Sequence, residues 1–391
     1  GAQPVDRRAL LGEGAAARIR QEYLECLARA NAANASPVWW ARPFTTKNPL
    51  SSPLAHTACD AWLVAQAWRL PGRRLVVITD NLDLAAQVMV WTRQQQLRCL
   101  TAITIRRSWR AQLRRWVLVA WLVNTARLFM VWMLTRRARP TQNLTRDHLV
   151  ITSVLHPHSY QQDGSFRDVY FGPFVETLAK GEAPPVLVGM MLESPLSQLR
   201  RLRRLRSSVP VVPVDAFLTL GGLLSCSWQV LWAYLRPSSV RGDLGCDGLD
   251  LRCLIERAVR QPERLGSTLA NLRMEVCARG LGRRLRVSRC FYPFENRGFE
   301  KLLVLGLRSV SPQTRLIGYQ HAAVTSSHLN LFFGREEAAI TPLPDAVVTI
   351  GEVTQRWLET EGRYPVGLLK AGYALRQTRP TQSSPHLRPA N

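Results

Sequence analysis

The stretch "HLVITSVLHPHSYQQDGSFRDVYFGPFVETLAKG", His148 to Gly181, decides the fold. Leu149 to Leu155 is an apolar, β-branched run, which predicts a buried strand. A polar and aromatic loop follows, and a helix is predicted from about Pro173. "PPVLVGMML", Pro184 to Leu192, reads as the next strand, and "VPVVPV", Val209 to Val214, as a third, short one. Strand and helix therefore alternate over residues 147–214, the pattern of a parallel sheet. In open α/β sheets ligands bind beyond the carboxyl ends of the strands. His156, His158, Asp163, Arg167, Asp168 and Tyr170 fall there. Ligand contact and an ordinary polar loop both remain open for them.

Working outward, residues 1–36 read as a helix, with Ile19, Tyr23, Leu24 and Leu27 at helical spacing. "NPLSSPLAHTACDAWLVAQAWRLPG" is a loop and a second helix. "RRLVVITDN" reads as a buried strand with a polar tip, after which Asp80 and Asn81 cap the helix "LDLAAQVMVWTRQQQ". A helical region covers Leu249 to Arg279. "RLIGYQH" is then a strand and loop, "DAVVTIGEVTQRWLETEG" a strand, glycine turn and helix, and "VGLLKAGYALR" a further strand. The tail from Gln377 is rich in Pro, Ser and Thr and reads as disordered.

Composition narrows the classes. Of 391 residues, 46% are hydrophobic, enough for a sizeable core. Lys+Arg 52 against Asp+Glu 28 gives a net charge of +24, which favours anionic partners. Nearly all of that charge is arginine, the lysines being Lys47, Lys180, Lys301 and Lys370, so part of the excess reflects codon usage. The eight cysteines show no C-x-x-C and no zinc-like spacing, and read as reduced core thiols. The N-terminus lacks a signal-peptide pattern and an initiator Met, as expected of a processed form or a fragment.

Two apolar stretches stand out. Trp116 to Leu134 approaches the roughly 20 residues that span a bilayer, but Asn124 and Arg127 interrupt it and arginines flank both ends. An in-plane interfacial helix or hairpin is the first reading, with a buried core helix and a span as alternatives. Ala216 to Leu235 carries no charge, and Trp228, Trp232 and Tyr234 resemble interfacial anchors. Together they point to attachment at an anionic membrane surface.

P-loop, G-x-G-x-x-G, G-x-S-x-G, Asp-x-Asp and H-E-x-x-H motifs are absent, so the sequence gives no metal or cofactor motif. "TDN" at Thr79–Asn81 reads best as a helix cap. "YPFENRGFEKLLVLGLRS", Tyr292 to Ser309, followed by "RLIGYQHA", is richer. Leu302, Leu303, Leu305 and Leu307 are helix burial. Glu295 and Asn296 suit a helix N-terminus, and either Glu295 or His321 suits a general base toward a hydroxyl.

These blocks resemble a bacterial family of surface-carbohydrate biosynthesis proteins, the GT-B glycosyltransferases, from about Asn48 to Arg376. Glu295, Asn296, Glu300 and Lys301 match its Y-E-N-x-x-W-E-K block, with Phe299 where the family has Trp. Gly318, Gln320 and His321 match G-x-Q-H. Pro342, Leu343, Pro344 and Asp345 match P-L-P-D, and Gly372, Ala374, Leu375 and Arg376 match G-x-A-L-R. "GSFRDVYFGPF" resembles the family's RDxYFGxL block.

The resemblance implies an α/β protein of Rossmann-like parallel sheets of GT-B type, with apolar membrane-surface helices. It would transfer a sugar from a nucleotide-activated donor to a surface polysaccharide or lipid-linked glycan, in the cytoplasm at the inner membrane. Glu295 or His321 would be catalytic. Asn296, Glu300, Lys301, Gln320, Tyr319, Arg167, Asp168 and Tyr170 would bind substrate, with no cofactor beyond the donor. The expected domains are a helical segment at 1–47, an acceptor domain at 48–290, the motif region and start of a truncated C-terminal domain at 291–376, and a tail at 377–391. Donor binding then falls to a separate chain, or the protein is an inactive remnant or scaffold. A basic nucleic-acid-binding protein ranks third, because the arginines flank apolar stretches rather than alternate with aromatics.

Overall fold

The computed structural model describes residues 6–70, 75–97, 109–136, 147–161, 164–181, 185–191, 195–207, 209–236 and 239–375. The first part of the chain is helical: α1 (Arg7–Asn34), α2 (Pro37–Trp40), α3 (Leu54–Trp68), α4 (Leu82–Gln94) and α5 (Trp109–Thr135). Then come β1 (His148–Leu155), α6 (Phe174–Ala179), β2 (Val186–Met191), α7 (Pro195–Arg204), β3 (Val211–Pro213) and α8 (Leu220–Leu235). A small antiparallel hairpin, β4 (Gly245–Cys246) and β5 (Leu249–Asp250), precedes α9 (Arg252–Arg260) and α10 (Leu265–Arg284). The chain continues with β6 (Val287–Pro293), α11 (Gly298–Arg308), β7 (Arg315–Tyr319), α12 (Glu337–Ile340), β8 (Ala346–Thr349), α13 (Glu352–Glu361) and β9 (Leu369–Ala371).

Seven strands form one parallel sheet in the order β3-β2-β1-β6-β7-β8-β9. This is a Rossmann-like α/β fold: the chain runs outward from β1 in one direction, then returns to β6 and runs outward in the other. The strands beyond residue 290 continue the sheet begun by β1 to β3.

The strands are apolar on both faces, as a sheet covered on both sides requires. Val150, Val186 and Val188 join the large core. Their neighbours Ile151 and Leu187 point the other way, into a second cluster with Leu155, Phe171, Val175 and Tyr319. The register Val150↔Val186 and Ile151↔Leu187 keeps each set on its own side. α10 packs closely along α11, and both contribute to the large core. Gly306 allows that approach, since a Cβ there would lie 2.4 Å from the carbonyl oxygen of Glu275.

The helical N-terminal part is fastened to α12, between β7 and β8, by a buried polar network. Lys47 Nζ donates to Glu337 Oε2 at 2.7 Å, with both side chains fully buried. Asn31 Nδ2 donates to Glu337 Oε1 at 2.7 Å, and Trp39 Nε1 donates to Asn31 Oδ1 at 2.9 Å. Burying a charge is tolerable when it is paired and hydrogen-bonded, as Glu337 is.

Several sequence expectations are met. Asn81 caps α4, its Oδ1 accepting from the backbone of Asp83 and Leu84 at 3.0 and 3.1 Å. The strands expected at Leu149, Pro184 and Val209 are β1, β2 and β3. One expectation fails. The buried strand expected in "RRLVVITDN" is not formed over residues 75–79, where the chain is irregular and Ile78 is 94% exposed. A run of apolar residues does not make a strand without a neighbouring strand to accept its hydrogen bonds. The tail from Gln377 lies outside the described residues.

Candidate functional site

The order in which strands are added reverses between β1 and β6, and the candidate site lies where the chain leaves the carboxyl ends of β1, β6 and β7. This is the crevice in which doubly wound sheets bind ligands. The loop after β1 walls a pocket of about 450 Å³, lined by His156, His158, Gln161, Arg167, Asp168 and Tyr170 among others.

Asp168 gives that loop its shape. It is buried, and its Oδ1 accepts from the backbone N–H groups of Tyr170 and Phe171, both at 2.8 Å. An aspartate that closes such a local turn fixes the residues that follow. Gly172 completes the turn at φ +50, where a Cβ would lie 2.5 Å from the carbonyl oxygen of Leu375. The result positions Tyr170, whose ring meets that of His321 edge-on with centroids 4.6 Å apart. Arg167 is exposed on the pocket wall.

After β6 the chain turns sharply into α11. Asn296 adopts φ +53, a left-handed conformation that asparagine tolerates better than most residues. Its Nδ2 donates to the carbonyl oxygen of Asn330, and Asn330 Nδ2 donates to that of Glu295, both at 2.7 Å. This reciprocal pair ties the turn to the loop that follows β7. Glu300, in the first turn of α11, reaches back so that its Oε2 accepts from the Glu295 N–H at 2.9 Å. Complete burial pushes the Glu300 carboxyl up to about 8.

Glu295 is thereby aimed at His321, with Glu295 Oε1 3.1 Å from His321 Nε2. Arg297 pairs with the other carboxylate oxygen. Partial burial alone would raise the Glu295 pKa, but the His321 hydrogen bond and the Arg297 charge outweigh it and hold the group at about 2. A carboxylate that acidic is a poor proton acceptor near neutral pH. Of the two sequence candidates, Glu295 is therefore the weaker base, and its carboxylate holds the His321 ring in place.

Among the described residues, four buried polar atoms near this pair lack a hydrogen-bond partner: His321 Nδ1, Gln320 Oε1, Asn296 Oδ1 and Asn330 Oδ1. Buried polar groups are normally satisfied, so such a group calls for an explanation, and a bound ligand is one.

The other candidates have structural posts. Tyr319 is buried, and its hydroxyl donates to the carbonyl oxygen of Tyr373 at 3.0 Å and accepts from the N–H of Leu375 at 2.8 Å, clamping the segment after β9. Lys301 turns away from the pocket. It is buried over the ring of Trp40, 4.6 Å from its centroid, with Nζ 3.5 Å from the carbonyl oxygen of Thr45. Burial pulls its pKa down to about 7. Gln320 holds its own loop, Nε2 donating to the carbonyl oxygen of Ala322. Sequence reasoning left out Arg297 and Asn330. Arg297 stands two residues from Glu295 and was visible there as a charge partner, whereas the Asn330 contact spans 35 residues and has no local signal.

Among the described residues, no group of three or more His, Cys, Asp or Glu side chains is placed to hold a metal ion. Compared with family models, curated protein sequences and solved structures, the chain matches none.

Proposed function

We propose that the chain is the acceptor-side part of a GT-B-like glycosyltransferase. In this reading, His321 takes the proton from an acceptor sugar hydroxyl as that oxygen attacks the anomeric carbon of a nucleotide-activated sugar, and the nucleoside diphosphate leaves. The observation that carries the proposal is the Glu295–His321 pair beyond the carboxyl ends of β6 and β7, beside the β1/β6 switch point of a Rossmann-like sheet. Glu295 remains anionic and stabilises the imidazolium that forms, a division of labour seen wherever a carboxylate backs a catalytic histidine. The unpartnered His321 Nδ1 and the amide oxygens of Gln320 and Asn296 are hydrogen-bonding groups that suit a polyhydroxylated ligand. The surface-carbohydrate resemblance of "YPFEN" and "GYQH" supports the same reading.

The acceptor side is assigned to the pocket beneath Arg167 and Tyr170. The acceptor in this reading is a surface polysaccharide or lipid-linked glycan. Titration of the purified chain with oligosaccharides from bacterial surface glycans, followed by calorimetry, tests the assignment. Binding that weakens at least tenfold in Arg167→Ala or Tyr170→Ala supports it. Wild-type protein that takes up no glycan overturns it.

A further inference from the structure

α5 is long and apolar enough to cross a membrane by length and composition, yet it does not stand clear of the protein. It packs along its length against α8, α10 and α7. Trp121 Nε1 donates to the carbonyl oxygen of Ser227 on α8 at 2.8 Å. Asn124 faces inward too, since a Cβ on Gly266 of α10 would lie 2.7 Å from its Oδ1. Val117 and Leu128 are buried on the same side.

The opposite side is the unusual one. Trp116, Val119, Leu122, Val123, Met130 and Met133 are all at least 45% exposed and recur at helical spacing. Arg127 is the one charged residue on α5 between Trp116 and Thr135. On the adjoining α8, Leu224, Trp228 and Trp232 are exposed as well. The two tryptophans stack with centroids 6.3 Å apart, and the Arg236 guanidinium lies 3.9 Å above Trp232. Soluble proteins seldom expose a continuous apolar surface of this kind without a partner for it.

Charge identifies the partner. Between Asp83 and Asp147 there are twelve arginines and no acidic residue. α7, beside α5, reads "PLSQLRRLRR", and α8 has no acidic residue either. Two copies meeting through this face would bring like charges together, Arg127, Arg136 and Arg236 among them, whereas an anionic lipid surface complements such a charge. We infer that the outward faces of α5 and α8 form an in-plane platform that docks the protein on an anionic membrane, with the helix axes parallel to the surface and the tryptophans at the headgroup level. Such helices insert their apolar face only about 5–10 Å, and the basic side chains reach the headgroups. The platform is independent of the chemistry proposed for the switch-point site, and vesicle binding reads it alone.

Co-sedimentation with phosphatidylcholine vesicles, with and without phosphatidylglycerol, tests the inference. The wild-type chain should bind the anionic vesicles more tightly, and high salt should weaken the binding. Leu122→Glu/Met130→Glu should lower the partition coefficient by about tenfold or more, because each leucine-sized side chain withdrawn from lipid forfeits roughly that factor. Trp228→Ala/Trp232→Ala should lower it with unchanged far-ultraviolet helicity. Equal sedimentation of variants and wild type overturns the inference. So does a wild-type dimer that the glutamate variant converts to monomer, which would make a second copy the occupant. Bound protein that alkaline carbonate cannot extract would mean a span, and overturns the in-plane geometry.

Discussion

His321 and Glu295 sit just beyond the ends of adjacent parallel strands, and their side chains meet at 3.1 Å. The pairing is built from the backbone up: Asn330 and Glu300 hold the Glu295 main chain from opposite sides. Glu295→Gln keeps the shape but removes the charge behind the imidazole. Transfer rates should fall about a hundredfold, the scale of a compromised general base, with KM nearly unchanged. Steady-state kinetics separates the two parameters.

Acid should weaken the fold through the same residue. The Glu295 pKa is about 2 in the folded protein against an ordinary 4.5, so its contribution is complete above pH 4.5 and is lost as pH falls toward 2. Glu295→Gln should flatten the fall of Tm across that window. A wild-type slope equal to that of the variant would show that the pair adds nothing to stability.

Glu300 and Lys301 predict opposite slopes at higher pH. Burial raises Glu300 from 4.5 to about 8, so the folded state holds a proton that the unfolded state releases, and stability declines as pH rises from 4.5 to 8. Burial lowers Lys301 from 10.5 to about 7, so the unfolded state holds the extra proton and stability rises from pH 7 to 10.5. Thermal melts across this range should show Glu300→Gln losing the decline and Lys301→Met losing the rise. Lys301→Met should also be as stable as wild type or more so near pH 7, because the ammonium has no carboxylate within bonding distance to offset its burial.

The Lys47–Glu337 pair behaves differently because both partners are fully buried and bonded to each other. Lys47→Met or Glu337→Leu alone leaves a stranded charge and should cost about 3–5 kcal/mol. The double replacement should recover much of that loss. Chemical denaturation of the four proteins forms a double-mutant cycle, and additive losses would contradict the pairing.

The sheet was readable where the chain is apolar and β-branched without interruption, as in "LVITSVL" and "VLVGMM", because strands covered on both faces are built from such runs. "LVVITDN" carries the same signal and is not a strand, since pairing depends on neighbours that the local sequence does not contain. In the site, Glu295 and His321 were visible as residue types, but their relation depends on β6 and β7 being adjacent. Lys301 looked equally functional in sequence. Only the fold reveals that its ammonium lies over the Trp40 ring instead of toward the pocket. The apolar character of α5 was plain, whereas the separation of its two faces required knowing where α8 and α10 lie.

In the proposed function His321, beyond the carboxyl end of β7, is the base in sugar transfer. The direct measurement is acceptor-dependent release of nucleoside diphosphate from a panel of nucleotide sugars. It compares wild type with His321→Ala. Release should require the glycan acceptor and fall by about 10²–10⁴-fold in the variant. Equal release by both proteins would contradict the role of His321.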